Sequence, residues 1–216
     1  MIHLFIFLIC FCACTVGAIC GIGGGIIIKP ALDTFGIMSA STINFLSGCT
    51  VLSMSLYSVS KALRAGDSKV EMSTGTPLAL GAAAGGVVGK EMFSAVKTFF
   101  NGSPMVGGVQ AIALGIITLG TLLYTVNKSR IQTRTTSNKV VCLVVGLLLG
   151  IMSSFLGIGG GPINLVVLGY FFGMDTKTAA ANSLYIILFS QMASLIATLI
   201  SGVPEFRIPA LILMVA

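Results

Sequence analysis

Long apolar segments dominate this sequence and most narrow what it can fold into. A helix needs about 20 apolar residues to cross roughly 30 Å of hydrocarbon. The apolar segments are Ile2–Cys20, Ser41–Ser60, Met72–Val96, Met105–Val126, Val140–Leu156, Ala179–Ile200 and Ile208–Ala216. The last of them does not complete a span. We therefore predict an all-helical, polytopic integral membrane protein with about seven spans.

Composition excludes the soluble classes of protein. Hydrophobic residues make up 56% of the chain and charged residues 8%, whereas a soluble domain carries about 25% charged residues. The net charge is +6, but the basic residues lie mainly at the ends of apolar segments and form no cluster interleaved with aromatic residues. We expect the lipid bilayer as a partner and no nucleic acid. The six cysteines lie inside apolar segments and His3 is the single histidine, so we expect no metal site and no cofactor.

Basic loops predict the orientation. The loop after the second span holds Lys61, Arg64 and Lys69, and the segment 128–139 after the fourth holds four basic residues and no acid. Loops rich in Lys and Arg face the cytoplasm. An even number of predicted crossings separates the two, which puts both loops and the N-terminus in the cytoplasm of a multi-pass plasma-membrane protein. No Lys or Arg precedes the first apolar segment, so we interpret it as a retained span rather than a signal peptide.

A glycine motif occurs twice. The sequence Gly-Ile-Gly-Gly-Gly at 21–25 recurs at 157–161, and we call the interval between the two copies the repeat spacing. Each copy follows an apolar segment and precedes a short one, Ile26–Ile37 or Pro162–Met174, and then a span with an Asn near its start. We predict two repeated helical units, as in many transporters. Residues 1–127 form the first, with four spans and a re-entrant segment at 21–37; 128–139 is a basic cytoplasmic linker; 140–216 is the second unit, incomplete.

These motifs predict broken helices and a substrate site between them. Glycine costs about 1 kcal/mol relative to Ala inside a helix, and a break in the membrane is tolerated only beside protein or a watery cavity. The helix after a break directs its partly positive N-terminus at it, which favours an anion. The predicted substrate-binding glycines are Gly23, Gly24, Gly25, Gly159, Gly160 and Gly161. The alternative is close helix packing, which we favour for Gly81, Gly85 and Gly89.

Four polar residues complete the candidate site. Lys29 lies within an apolar stretch, where it either faces the anion or extends to the interface beside Asp33. Asn44, Asn182 and Ser183 either donate hydrogen bonds in a cavity or join helices at about 0.6 kcal/mol each. The short stretches, about 18 Å long at 1.5 Å per residue, favour re-entry and parallel halves; full crossings would invert the halves.

The motifs resemble the sulfite exporter TauE/SafE family over nearly the whole chain. The resemblance rests on both Gly-Ile-Gly-Gly-Gly copies, on Ala179-Ala-Ala-Asn182-Ser183-Leu184, and on Gly66-Asp67 followed by the segment from Pro77 to Gly85. Asn182 stands where the family usually has Thr, and Phe45 replaces a Ser in the looser first copy, Ser41–Leu46. The resemblance implies export or uptake of sulfite, a sulfonate or another small organic anion. The second unit is shorter than the first, which indicates a fragment or, less simply, completion by another subunit.

We therefore predict a secondary transporter that exports a small anion. An intramembrane enzyme would need a placed nucleophile and base or a metal cluster, and one histidine leaves little room for either, so we predict no enzyme activity. A substrate-free structural or assembly subunit is the alternative function. The sequence leaves a homo-oligomer open.

Overall fold

The computed structural model describes residues 2–35, 39–64, 69–100, 105–128, 133, 136, 138–204 and 208–215. Within these ranges the chain forms nine helices, and it has no strand there. The helices are α1 Ile2–Cys20, α2 Gly25–Phe35, α3 Ala40–Arg64, α4 Met72–Phe99, α5 Met105–Asn127, α6 Lys139–Leu156, α7 Gly161–Phe172, α8 Thr176–Ser201 and α9 Ile208–Val215. The predicted all-helical membrane fold is confirmed.

Four helices of the described chain are long and apolar enough to cross a membrane, namely α3, α5 from Val106, α6 and α8. Among the other predicted spans, α4 has 28 residues but is rich in Gly, Ser and Thr and carries Lys90 and Glu91. The apolar part of α1 counted from Ile6 falls among the shorter helices, as does α7. By length and apolarity, the described helices therefore account for only part of the predicted total of about seven spans.

Both predicted helix breaks are present. Helix α1 ends at Cys20 and α6 at Leu156, and Gly21, Gly23, Gly157 and Gly159 then take φ values between 67° and 80°. Glycine adopts this left-handed region without the steric cost that a side chain brings. The helices that follow, α2 and α7, have 11 and 12 residues, or about 17 Å at 1.5 Å per residue, and are too short to cross alone. Positions 36 and 37 of the predicted re-entrant segment lie outside the described residues.

Each short helix turns back along the helix before it. A Cβ added to Gly24 would lie 3.1 Å from the Ala13 carbonyl oxygen, and further along α2, Ile28 and Leu32 belong to the same buried cluster as Cys10 and Ile6. In the other half, Leu168 and Phe172 of α7 cluster with Cys142 of the first turn of α6. Each pair is therefore a re-entrant hairpin that returns to the side it came from.

Helices of the two predicted units that correspond in sequence run in opposite directions. Three pairs of helices begin one repeat spacing apart: at Gly25 and Gly161, at Ala40 and Thr176, and at Met72 and Ile208. Yet α3 and α8, which correspond by this spacing, run antiparallel. Gly48 of α3 faces Gln191 and Leu195 of α8. Val51, further along α3, contacts the same two glycines, Gly23 and Gly159, as Ile187, which comes earlier in α8. Our prediction of parallel halves is wrong, because α1 and α2 together form the re-entrant hairpin, which leaves an odd number of crossings, α3 to α5.

This topology also separates the N-terminal end from the basic loops. Helix α1 runs in the direction of α3: its residues Cys10 and Ala13 cluster with Ile43 to Leu46, and Cys14 and Ala18 with Met54 and Val59. The start of α1 therefore lies at the end of the bundle where α3 begins, away from the loop after α3. The side on which the N-terminus lies stays a prediction, and this packing favours the side opposite the basic loops.

Glycine packing joins the two predicted units. A Cβ added to Gly81, Gly85 or Gly89 of α4 would overlap the carbonyl oxygens of Leu143, Leu147 and Ile151 in α6. In return, Gly146 and Gly150 of α6 face the backbone of Leu78 and Ala82. The packing interpretation of the α4 glycines is confirmed, and residues 1–127 and 140–216 are interlocked rather than separate bodies. Only parts of the predicted linker 128–139 are described.

Helix α8 begins with a side-chain cap. The Asp175 carboxylate accepts a hydrogen bond from the Lys177 backbone N–H at 3.3 Å. A hydrogen bond from the Thr178 side chain, the largest cause, lowers the pKa of this exposed carboxyl. The cap is therefore ionised at neutral pH, which suits a helix N-terminus.

Candidate functional site

The two glycine breaks meet at the centre of the bundle. A Cβ added to Gly25 would lie 2.5 Å from the carbonyl oxygen of Ile158, and one added to Gly161 would lie 3.0 Å from that of Ile22. These contacts are reciprocal, since each glycine opens its short helix and each isoleucine belongs to the opposite break. Only residues without a side chain allow two backbones to approach so closely. The structure therefore brings together two motifs that lie in different halves of the sequence.

Two aliphatic side chains close the point where the breaks cross. Gly23 and Gly159 both face Val51 of α3 and Ile187 of α8. At each of the six glycines predicted to bind substrate, a protein atom lies within 3.4 Å of where a Cβ would be; for Gly160 these are side-chain atoms of Asn164. The crossing is consequently packed by protein in this structure, and the open space for a solute lies beside it.

Lys29 connects the first short helix to the second break. Its side chain is 2% exposed, and its ammonium donates to the Leu156 carbonyl and to Gln110 Oε1, each at 2.6 Å. Leu156 is the last residue of α6, where unpaired carbonyls carry a partial negative charge. The Gln110 amide also donates to the Phe155 carbonyl. Burial contradicts extension to the interface: the side chain binds the end of a broken helix, and its contact with an anion stays a prediction.

Ser183 holds the first break from the opposite half. Its hydroxyl is fully buried and donates to the Gly21 carbonyl at 2.6 Å. By the repeat spacing, Ser47 is the counterpart of Ser183 in the first half. The buried Ser47 hydroxyl has no hydrogen-bond partner among the described residues. The same spacing pairs Asn44 with Ala180, so the sequence-based pairing of Asn44 with Asn182 is out of register.

A small polar cavity adjoins the second break. Its volume is about 20 Å³, which is room for about one water molecule. The lining residues are Asn44, Phe45, Lys90, Phe93, Ser154, Gly157, Gln191, Ser194, Leu195 and Thr198. Both polar atoms of the Asn44 amide and the hydroxyl of Ser154 are buried without a hydrogen-bond partner in the described chain. Buried polar groups are normally paired, so these two side chains are available to a bound solute.

A larger basic chamber lies next to this cavity. Its volume is about 450 Å³, and Lys90 and Phe93 line both spaces. The other lining residues are Ser41, Ser94, Lys97, Thr98, Ser201, Gly202 and Pro204. Lys90 is half-buried and lies 5.8 Å from the centre of the Phe93 ring, whereas Lys97 is exposed. The chamber thus offers two ammonium groups at its wall and a path of polar side chains towards Gly157.

Comparison with known proteins decides the family. The model of the sulfite exporter TauE/SafE family matches residues 6–216. The chain belongs to this family. No curated protein and no solved structure matches the chain significantly.

Membership in the TauE/SafE family makes the chain a membrane transporter for sulfite or a related anion at the level of the family. A transporter family fits the expectation that the chain is not an enzyme. A basic chamber beside polar groups is also the chemistry that a TauE/SafE substrate of negative charge requires.

The structure separates one predicted site residue from the others. Asn182 lies where α8 meets the start of α4, and its amide donates to the carbonyls of Lys69 and Thr178 at 3.2 and 2.9 Å. The bond to Lys69 ties α8 to the segment before α4, and a contact of Asn182 with the substrate stays a prediction. Asn44 alone among the predicted polar residues lines the cavity.

Sequence reasoning missed three residues of the site. Gln110 is the single amide in the apolar span Met105–Val126, a signal that could have marked it as a partner for a buried charge. In the sequence Lys90 stands out only as a basic residue near a helix end, and nothing marks Ser154. No local pattern shows that Lys90 and Ser154 meet, because they belong to different units.

Proposed function

We propose that this TauE/SafE protein exports a small oxyanion, sulfite or a sulfonate, across the plasma membrane. The solute is bound between Lys90 in the basic chamber and the Asn44 and Ser154 side chains beside Gly157. The observation that carries the proposal is the set of buried, unpaired donors next to a lysine-lined chamber. Export is the direction in the family's description.

The position of the chamber indicates the side from which the site is accessible. Ser41 at the start of α3 and Ser201 at the end of α8 line the chamber, so it opens at the end of the bundle opposite the basic loops. With those loops in the cytoplasm, the chamber faces outward. Val51 and Ile187 close the centre, which corresponds to an outward-open state of an inverted-repeat transporter.

Replacing Lys90 tests the binding role of the chamber. We expect Lys90→Gln to raise the KM for sulfite about tenfold, because a charge-assisted hydrogen bond contributes about 1.5–3 kcal/mol. The measurement is sulfite counterflow in proteoliposomes, with Lys139→Gln at the start of α6 as the control. Equal KM values for both variants would exclude Lys90 from the site. If the unmodified protein neither transports nor is thermally stabilised by sulfite or a sulfonate, it is instead a substrate-free structural subunit.

Asn44 and Asn182 form a matched pair that separates binding from folding. Because the Asn44 amide has no partner in the described chain, Asn44→Ala should leave the melting temperature unchanged or higher while it abolishes most counterflow. Asn182→Ala removes one hydrogen bond to the Lys69 carbonyl, just before α4, and one to the Thr178 carbonyl within α8. It should lower the melting temperature, at about 1 kcal/mol per bond. The reverse pattern would place the substrate elsewhere.

The inverted topology gives a third expected result. An epitope tag before Ile2 should be accessible from outside intact cells, whereas a tag inserted at position 133 should be accessible only after permeabilisation. The physical reason is that the re-entrant hairpin of α1 and α2 returns to its own side. Two tags that are accessible from the same side would contradict the hairpin.

A further inference from the structure

A long groove runs between α1 and α3 and ends at α9. Its volume is about 800 Å³. Phe7, Cys10, Phe11 and Cys14 of α1 line one wall, and Met54 and Tyr57 of α3 line the other. Phe11 is 60% and Tyr57 69% exposed. The groove shares no lining residue with the polar cavity or the basic chamber and has no part in the proposed transport.

The groove corresponds to the surface on which α4 lies in the other half. The repeat spacing relates Cys10 and Cys14 to Gly146 and Gly150, which face the α4 backbone at Leu78 and Ala82. The same spacing relates Phe11 to Leu147, whose carbonyl contacts Gly85. It also relates Met54 to Ser190, whose carbonyl faces Gly86. The walls of the groove are thus built from the counterparts of the residues that hold α4.

Helix α9 already occupies the first part of this seat. It begins one repeat spacing after α4, and Met214 and Val215 in its last turn line the end of the groove. Met214 is the counterpart of Leu78, and it packs in one buried cluster with Cys10, as Leu78 packs on Gly146. The contact between the two helices is therefore the same in both halves as far as α9 extends.

We propose that the groove seats one further transmembrane helix that continues the axis of α9. By analogy with Gly81, Gly85 and Gly89, this helix presents small residues at four-residue intervals to α1, whose Cys10 and Cys14 are themselves small. Such spacing allows two helices in a membrane to approach closely. The occupant is a helix rather than a lipid chain because both walls repeat an existing helix seat.

An extended chain tests the proposal. The α4 sequence Gly81–Phe99 is joined after Ala216, and a cysteine replaces the residue that corresponds to Ala82. Of the natural cysteines only Cys14 is kept, and the others are replaced by serine. Because Gly150 faces Ala82 in the α4 seat, we expect a disulfide between Cys14 and the new cysteine on mild oxidation in membranes. The extension should also raise the melting temperature of the chain.

Two controls keep the result decisive. An extension with Leu at the positions of Gly81, Gly85 and Gly89 should form little disulfide. An extended chain that carries Cys14→Ser and retains the exposed Cys12 instead should also form little. If the extended chain fails to fold, a synthetic α4 peptide, Met72–Phe99, carrying the same cysteine replaces it in trans. Absence of the Cys14 disulfide in both formats, or equal yields with the leucine extension, means that only lipid covers the groove and overturns the proposal.

Discussion

Gly25→Ala is expected to destroy most of the folded protein, although it adds a single methyl group. The new Cβ would lie 2.5 Å from the Ile158 oxygen, 2.8 Å from its carbonyl carbon and 2.9 Å from its Cα. All three are backbone atoms of the opposite break, so no side chain can rotate away. The cost should reach at least about 3 kcal/mol, the upper range for overpacking. The melting temperature in detergent, followed by size-exclusion chromatography, measures the loss.

Gly108→Ala in α5 is the matched control for this variant. No atom lies within 4 Å of the Cβ that it adds, and Ala favours a helix over Gly by about 1 kcal/mol. We therefore expect the control to be as stable as the unmodified protein or more so. Equal melting temperatures for the two variants would mean that Gly25 does not lie against the Ile158 backbone where the breaks cross.

Local patterns in the sequence are enough to predict the helices and the breaks. Apolar segments and glycine clusters act within one or two turns of a helix, so their effect can be derived from neighbouring residues. The packing of the α4 glycines is predictable for the same reason, since small residues at four-residue spacing lie on one helix face. The meeting of the two motifs follows from their recurrence, and the contacts of Gly25 and Gly161 agree with it.

The direction of a helix and the contacts between distant segments cannot be derived from neighbouring residues in the same way. Whether α1 crosses the membrane depends on how α2 packs against Ala13, and the hydropathy of the sequence gives no information about that packing. The same limit applies to Val51 and Ile187, two ordinary aliphatic residues that become important only because both breaks meet beside them. The partner of Lys29 could not be predicted because Leu156 offers a backbone carbonyl, and a sequence does not show which carbonyls a helix break leaves unpaired.

Lys29→Met is the second variant from which we expect a large effect. Met keeps an unbranched apolar chain, one atom shorter, but removes three N–H donors. The Leu156 carbonyl and Gln110 Oε1 therefore lose the hydrogen bonds that Lys29 gives them. A buried acceptor without a partner costs about 1–3 kcal/mol, and two such acceptors should lower stability by about 4 kcal/mol. Lys97→Met, at the exposed wall of the chamber, should change the melting temperature little.

A double-mutant cycle distinguishes this structural role from a direct role in anion binding. If Lys29 and Gln110 act together on the end of α6, Lys29→Met and Gln110→Met should show a coupling of at least about 1 kcal/mol in the free energy of unfolding. Additive losses would mean that the two side chains act independently. A Lys29→Met protein of normal stability that sulfite no longer protects against heat would instead place the ammonium on the anion, because a ligand stabilises only the state that binds it.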